Sequence, residues 1–283
     1  MTLVCATPPV DGFGEVVAAL ARFQRDGLPV QLHPGDLGWY TRCGADAAAA
    51  ATRTWSRDGQ ILAVGLLDGP GVLRLAVSPD AFDDDDVATG ILRDIAGSTS
   101  FRAEVVEARG GPRLRRALIE GGWVPDEAWT PLRRDLAGPV EKSDLRLEVT
   151  NVDRADVRVA LQRASFDRST FTREGWRAMA EGPAYARARC LVGYDGEVAV
   201  AAVTVWSAGA GRPGLLEPMG VHREHRGRGY GAAICRGAAA ALREMGASSA
   251  TVCTPSDNVG AVATYASAGF VPLAPVRDFR RAV

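Results

Sequence analysis

Two spacings of apolar residues recur along the chain, and together they predict a mixed α/β protein. Apolar side chains at helical spacing, as in Phe13–Arg25, are typical of an amphipathic helix. Short apolar runs that end in turn residues, such as Ile61–Leu67 and Val198–Trp206, favour strands. Turn residues such as those at Asp68–Gly71 separate these segments. The pattern therefore predicts the α/β class, with helices on a mixed (α+β) sheet.

The same order of predicted elements occurs twice. In the first half the predicted elements are a helix at Phe13–Arg25, strands at 29–33, Ile61–Leu67 and Val72–Val77, a helix at Val87–Ile95, a strand at Phe101–Val106, a helix at Pro112–Glu120 and a strand at Thr130–Asp135. In the second half they are a strand at Leu145–Thr150, helices at Arg154–Arg163 and Arg173–Ala180, strands at Arg189–Tyr194, Val198–Trp206 and 215–221, a helix at Ala232–Met245, a strand at Ala250–Thr254, a helix that Ser256 or Asp257 caps, and a strand at Pro275–Arg281. The repeat favours an internal duplication, with domains at 1–137 and 145–283 and a linker at 138–144. An unrelated α/β domain with a similar rhythm is the alternative for the first half.

A basic, glycine-rich turn lies between the predicted strand at 215–221 and the predicted helix at Ala232–Met245. Its glycines are Gly227, Gly229 and Gly231, and its arginines are Arg223, Arg226 and Arg228. Glycines let the backbone approach an anion closely, and the first N–H groups of a helix are unpaired and electropositive. The spacing differs from that of a P-loop and of a dinucleotide fingerprint. The turn therefore predicts a diphosphate site, with a plain strand-to-helix turn as the alternative.

A second motif follows the next predicted strand. It reads Asn258-x-x-Ala261-x-x-x-Tyr265-x-x-x-Gly269-Phe270. This motif and the Arg-x-x-Gly-x-Gly turn before it resemble the two cofactor motifs of the GCN5-related N-acetyltransferase (GNAT) family. The tandem arrangement is similar to that of mycothiol synthase and its relatives. The resemblance covers roughly the last half of the chain and implies two tandem GNAT-like domains, of which the N-terminal one is degenerate.

The resemblance implies acetyl-CoA as the co-substrate. Strand 215–221 is expected to diverge from its neighbour and to admit the pantetheine arm, while the diphosphate rests on the glycine-rich turn. The expected cofactor-binding residues are Met219, Gly220, Val221, Arg226, Gly227, Arg228, Gly229, Tyr230, Gly231, Ala232 and Asn258. In the first half, Asp83–Asp86 stand in place of the turn, and their charge would repel a diphosphate. This acidic segment argues against coenzyme binding by the first copy.

Two residues are candidates for the acid–base chemistry of acetyl transfer. Glu217 lies just before the amides of Met219–Val221, which would polarise the acetyl carbonyl, and it is the candidate general base through a water molecule. Tyr265 matches the family position whose tyrosine commonly protonates the coenzyme A thiolate. The alternatives are a strand-end carboxylate for Glu217, a core aromatic residue for Tyr265 and a helix cap for Asn258.

The sequence gives little information about the acceptor. We expect it to be a primary amine of a small molecule, which attacks the acetyl group directly in a ternary complex. In this family the segment after the first strand shapes the acceptor pocket, which directs attention to 164–171. The candidate substrate-binding residues are Phe166, Asp167, Trp176 and Trp206. Each of them has an ordinary core or surface role as its alternative. A protein N-acetyltransferase and a non-catalytic coenzyme A sensor or scaffold are the competing functions.

The composition of the chain argues against several classes of partner but does not identify one. The 283 residues have a net charge of −1, which gives no indication of nucleic acid or an anionic membrane as partner. The cysteines and histidines form no cluster that predicts a metal site. No apolar run has the length of a membrane span, so a cytoplasmic location is expected.

Overall fold

A computed structural model describes residues 2–97 and 102–282. The chain forms two compact units that interleave along the sequence. Unit 1 comprises the chain up to His33, Ala45–Trp129 and the chain from Pro275 onward, and unit 2 comprises Pro34–Gly44 and Thr130–Ala274. Both units combine helices with a sheet of parallel and antiparallel strands, which confirms the predicted fold class.

Unit 1 is built on a sheet in the order β1-β2-β3-β4-β5-β13-β6. Its elements are β1 Val4–Ala6, α1 Phe13–Phe23, α3 Ala45–Ala51, β2 Thr52–Arg57, β3 Gln60–Leu67, β4 Val72–Val77, α4 Asp85–Gly97, β5 Val105–Ala108, α5 Pro112–Glu120, β13 Val276–Arg281 and residues 123–129 of β6 Trp123–Asp135. Strands β4 and β5 are parallel, and the other registered pairs are antiparallel. The core of the unit packs α4 and α5 against the sheet around Trp55, Leu73 and Ile91.

Unit 2 repeats this plan, with its sheet in the order β6-β11-β10-β9-β8-β7. Its elements are α2 Pro34–Tyr40, residues 130–135 of β6, β7 Arg146–Val149, α6 Ala155–Ser165, α7 Arg173–Glu181, β8 Ala188–Asp195, β9 Val198–Ser207, β10 Gly214–Val221, α8 Tyr230–Glu244, β11 Ser249–Pro255, α9 Val259–Ser267 and β12 Val271–Pro272. Strands β10 and β11 are its parallel pair, and α8 joins them. The succession β7 to β11 therefore matches the succession β1 to β5 of unit 1, as internal duplication predicts.

The units differ from the contiguous segments 1–137 and 145–283 at 34–44, 130–137 and 275–283. Strand β13, at the end of the chain, lies between β5 and β6 in unit 1. Helix α2, from the first half, packs against β9 and β10 in unit 2. Both exchanges depend on contacts between residues far apart in sequence, which local patterns do not reveal.

Some local predictions were wrong or incomplete. The strand predicted at 29–33 is absent, and β1, β2 and α3 were missed. Phe101, the first residue of a predicted strand, lies outside the described residues, and that strand is observed at β5. In the described part of the chain, no helix is both long enough and apolar enough to cross a bilayer.

Helix α2 rests directly on the ring of Trp206, and two glycines permit this contact. A Cβ atom on Gly35 would lie 2.4 Å from Trp206 Cγ, and one on Gly38 would lie 2.3 Å from Trp206 Cζ3. The indole is 1% exposed, and its Nε1 donates to the carbonyl of Glu217 at 2.6 Å. Trp206 is thus a buried platform between α2 and β10, and the acceptor role expected for it requires a surface that α2 covers.

We expect Gly38→Ala to lower the free energy of unfolding by about 1–3 kcal/mol, because the added methyl group overpacks a fixed indole. Chemical denaturation measures the change. Gly14→Ala in α1 is the matched control, since a Cβ there meets no atom within 4 Å. That control should raise stability by about 0.5–1 kcal/mol, as expected for a helical glycine. Equal stability of the Gly38→Ala variant and the unsubstituted protein would contradict the close packing.

Candidate functional site

The site begins at the point where β10 stops pairing with β11. The parallel pairing of these strands covers only Gly214 and Leu215 of β10. On the other side, the register of β10 with β9 shifts between Leu216 and Met219, so one extra residue bulges at 217–218. Beyond the bulge β10 pairs with β9 alone among the registered partners, which is the divergence that the resemblance implies.

The divergence exposes backbone donors along the free edge of β10. The amide of His222 donates to Val200 of β9 at 2.9 Å. Because successive strand residues point their N–H groups to alternate sides, the amides of Met219 and Val221 point away from β9. They therefore face the gap between β10 and β11, where a ligand arm can accept hydrogen bonds.

A cleft of about 570 Å³ runs along β10 at Met219–Val221 and extends to the starts of α8 and α9. Of the predicted cofactor-binding residues, all except Arg228 line it. The sequence analysis missed Ser165, His225, Gly260, Thr264 and Ser267, which also line the cleft. Those on α9 could have been found, because Gly260, Thr264 and Ser267 lie at helical spacing beyond Asn258.

The N-terminus of α8 faces the cleft without a side-chain cap. Its N-cap residue, Gly229, has φ of 83°, and no side chain accepts a hydrogen bond there. The amide of Ala233 is the first to bind a helical carbonyl, that of Gly229 at 3.1 Å. The amides of Tyr230–Ala232 before it are available to an anion, and the helix dipole favours negative charge at this end.

The glycine at position 231 serves a different purpose, which is the packing of α8 against α9. A Cβ atom there would lie 2.7 Å from Thr264 Cγ2 of α9. The glycine therefore lets α8 and α9 approach each other and narrow the end of the cleft.

Two of the predicted phosphate arginines also fasten the turn to α6. Arg226 Nη2 donates to the carbonyl of Ser165 at 2.7 Å. Arg223 donates to the carbonyls of Ala164 at 2.8 Å and Arg163 at 2.9 Å. Cations at a helix C-terminus satisfy its free carbonyls and complement its dipole. Arg226 thus lines the cleft while fixing α6 to the turn.

The two candidate acid–base residues, Glu217 and Tyr265, lie near each other, and neither is among the residues that line the cleft. Tyr265 is 7% exposed, and its ring packs edge-on to Phe270 at 6.0 Å between centroids. Burial raises the pKa of Tyr265, and the nearby Cys235 and Glu217 raise it further. The phenol therefore keeps its proton across the ordinary pH range, as a general acid requires. Glu217 is partly buried in the bulge of β10.

Asn258 caps α9, which corrects the prediction that Ser256 or Asp257 does so. Its Oδ1 accepts from the amide of Ala261 at 3.1 Å. The amide of Asn258 itself donates to Pro255 at 3.0 Å, so a turn precedes the helix. Ser256 instead shares a hydrogen bond with Thr130 at 2.8 Å. Asn258 nonetheless lines the cleft, so its capping and coenzyme-binding roles are compatible.

The candidate acceptor residues fall into two groups. Phe166 is 39% exposed and lines the cleft, and the exposed Asp167 forms an ion pair with Arg223 at 3.2 Å. Trp176 and Trp206 are buried, and Tyr185 lies edge-on between them with centroid distances of 6.2 and 6.0 Å. The structure therefore brings only the first pair to an accessible surface.

In unit 1, the N-terminus of the corresponding helix, α4, is capped by a side chain of the same unit. Asp84 Oδ1 accepts from the amide of Val87 at 3.0 Å, near the start of α4. Arg57 binds the same carboxylate at 2.7 Å, and this hydrogen bond lowers the pKa of Asp84. A capped, negatively charged helix start repels a diphosphate, whereas the uncapped start of α8 attracts one.

Unit 1 also fills the edge of its parallel pair. The side chain of Gln31 donates to the carbonyl of Val77 at 3.0 Å and accepts from its amide at 3.1 Å. The amide of Leu32 donates to Leu75 at 3.4 Å. These bonds occupy the edge of β4 that corresponds to the free edge of β10. The segment 29–33, which was predicted as a strand, is thus irregular, and its hydrogen bonds occupy this edge of β4.

Comparison with known proteins shows what this part of the chain is similar to. Residues 155–270 match the family described as Acetyltransferase (GNAT) family. A search of curated proteins found no match to the chain.

Solved structures share the fold over nearly the whole length. An acetyltransferase from GNAT family of Colwellia psychrerythraea is 12% identical with a TM-score of 0.61, and all of both chains is covered. A tandem GNAT protein from the clavulanic acid biosynthesis pathway is 15% identical with a TM-score of 0.58, over 98% of this chain and 97% of that one. FemX is 10% identical with a TM-score of 0.62, over 100% and 98%. The chain thus has the fold of tandem GNAT proteins.

Proposed function

We propose that the protein is an acetyl-CoA-dependent N-acetyltransferase acting on a primary amine of a small molecule, because residues 155–270 match the GNAT family of acetyltransferases. The observation that carries the proposal is the junction of two sets of donors in one cleft. The free edge of β10 supplies the amides of Met219 and Val221, and the uncapped start of α8 supplies those of Tyr230–Ala232.

The chain fits coenzyme A at this junction. A diphosphate needs amides without competing caps, and Gly229 has no side chain to provide one. A pantetheine arm needs a strand edge that is free of a neighbouring strand, and β10 has such an edge after Leu215. Unit 1 lacks both features, since Asp84 and Gln31 occupy the corresponding positions.

Acetyl-CoA supplies an activated acetyl group in a thioester when it is bound. The amides of Met219 and Val221 would orient and polarise the acetyl carbonyl. Glu217 would accept the proton of the attacking amine through a water molecule, and Tyr265 would donate its proton to the departing sulfur. One C–N bond forms and one C–S bond breaks, so the products are an amide and coenzyme A.

Release of free thiol from acetyl-CoA tests this function across a panel of primary amines that includes benzylamine and aliphatic amines. We expect thiol release that depends on the amine and produces an equal amount of acetylated product. Tight binding of coenzyme A without amine-dependent thiol release from any member of the panel would favour a non-catalytic binding protein instead.

Glu217→Gln should lower kcat/KM for the amine by about 100-fold or more near neutral pH, in the range of losses of general bases. A base must be ionised to act, so the rate of the unsubstituted enzyme falls as the pH drops below the pKa of the base. The Gln variant should lose that acidic limb. The pH–rate profile of kcat/KM makes the measurement.

Glu224→Gln is the matched control, because this exposed carboxylate lies seven residues further along the chain, in the turn after β10. It should leave the profile unchanged. An unchanged rate and acidic limb in Glu217→Gln would remove Glu217 as the base while leaving coenzyme binding intact.

A further inference from the structure

A second cavity, of about 550 Å³, adjoins the coenzyme cleft in unit 2. Both cavities are lined by Ser165 and Phe166, so these two residues lie at the boundary between them. Trp39 and Phe171 form an aromatic wall of the second cavity, with ring centroids 5.0 Å apart. If the coenzyme cleft holds acetyl-CoA as proposed above, the second cavity lies where an acceptor can reach the acetyl group.

The surface of this cavity carries positive charge without matching carboxylates. Arg42 is fixed in place, because its Nη1 donates to the carbonyl of Trp39 at 2.9 Å and its guanidinium lies 4.4 Å from the Trp39 ring centroid. Arg42 and Arg168 both line the cavity, and neither forms an ion pair among the described residues. The acidic side chain on the cavity, Asp167, is already paired with Arg223.

A third arginine, Arg158, lies behind Phe171 of the aromatic wall. Arg158 is fully buried, and its Nη1 donates to Gln162 Oε1 at 2.8 Å. Its Nε donates to Cys190 Sγ at 3.1 Å, and its guanidinium lies 5.6 Å from the ring centroid of Phe171. Within the described residues its Nη2 has no hydrogen-bond partner.

A buried cation without a counter-ion is strongly destabilising, and a thiol is only a weak acceptor. Two of the residues that contact Arg158, Gln162 and Phe171, line the cavity. The field of Arg158 therefore adds to that of Arg42 and Arg168 inside it. Since Gln162 Oε1 is held by Arg158, the amide nitrogen of Gln162 is the group left to donate towards the cavity.

We propose that this cavity selects an acceptor that carries a carboxylate in addition to its amine, with an apolar body against Trp39 and Phe171. The amine end of such an acceptor lies at Ser165 and Phe166, towards the acetyl group, and the carboxylate lies towards Arg42 and Gln162. Arg158 acts behind them as a positioning residue that orients Gln162. This inference names the acceptor class of the function proposed above.

Calorimetric binding of two matched amines to the chain without coenzyme tests the cavity separately from catalysis. The probes are 4-(aminomethyl)benzoate and 4-(aminomethyl)benzamide, which have similar shape and the same amine but differ in charge at the far end. We expect the benzoate to bind at least about 10-fold more tightly, because charge-assisted hydrogen bonds to arginine are stronger than neutral ones.

Arg42→Gln should reduce this preference to about threefold or less and leave the affinity for the benzamide unchanged. Arg189→Gln is the control, because Arg189 lies on β8, pairs with Glu244 and does not line the cavity. It should keep the full preference. Equal affinities for the two probes, no binding of either, or a preference that survives Arg42→Gln would overturn the inference. Thiol release from acetyl-CoA with benzylamine would still stand as evidence for the proposed function in each case.

Discussion

Replacing Tyr265 with phenylalanine is expected to lower kcat for amine acetylation by about 100-fold or more, within the range attributed to general acids. The variant removes one hydroxyl and keeps the ring that packs against Phe270. Because burial raises the pKa of Tyr265, the hydroxyl carries a proton whenever a thiolate must leave. Without that proton the sulfur departs as an anion, which raises the barrier. Steady-state kinetics at saturating amine measures the loss.

The loss should appear in catalysis and not in binding or folding. Coenzyme A affinity and the melting temperature of Tyr265→Phe should match those of the unsubstituted protein. Tyr194→Phe on β8 is the control, because Tyr194 is also buried but packs with Leu161 and Val192, in a core cluster apart from that of Tyr265. It should retain full turnover. Full turnover by Tyr265→Phe would instead identify Tyr265 as a core residue whose hydroxyl has no chemical role.

Placing aspartate at position 229 is expected to weaken coenzyme A binding by about 100-fold, equivalent to about 2.8 kcal/mol. The substitution gives α8 the cap that Asp84 gives α4 in unit 1. The carboxylate would both occupy the free amides of Tyr230–Ala232 and repel the diphosphate. The positive φ of 83° strains any side chain at this position, so some stability should be lost. The fold should be retained, since a Cβ at Gly229 meets no atom within 4 Å and aspartate is among the residues that adopt positive φ. Titration calorimetry gives the affinity.

Gly229→Asn separates the two causes, because asparagine caps a helix as aspartate does but carries no charge. Its affinity for coenzyme A should fall between those of the aspartate variant and the unsubstituted protein. Melting temperatures of both variants establish that the fold is retained. Unchanged affinity in both variants would mean that the start of α8 does not hold the diphosphate.

The local features of the site were predictable from sequence because they depend on neighbouring residues. The glycines around Gly229 and the helical spacing from Asn258 to Tyr265 are properties of short segments. Their positions along the cleft follow once α8 and α9 form. The N-cap of α9 was assigned to Ser256 or Asp257, with Asn258 as an alternative, because these three adjacent residues are all good caps. Sequence alone does not say which of them reaches the amide of Ala261.

The remaining features depend on contacts that join distant segments. Gln31 contacts Val77, 46 residues further along the chain, and Gly38 packs against Trp206. An aromatic side chain such as that of Trp206 is typical of a ligand pocket. The structure instead covers it with α2, whose Gly35 and Gly38 lie against the ring. The exchange of β13 into unit 1 is likewise decided by pairing with β5 and β6 rather than by its own sequence pattern. Arg42 lines the second cavity for the same reason, since it follows α2 in the first half of the chain.

Calorimetric titration of coenzyme A into the unsubstituted chain tests most directly whether the free amides of β10 and α8 form the coenzyme site. We predict one binding site per chain, because Asp84 and Gln31 close the corresponding positions of unit 1, and we predict that Gly229→Asp removes the heat of binding at the same concentrations. No detectable binding, two equivalent sites, or an unchanged isotherm in Gly229→Asp would contradict the account.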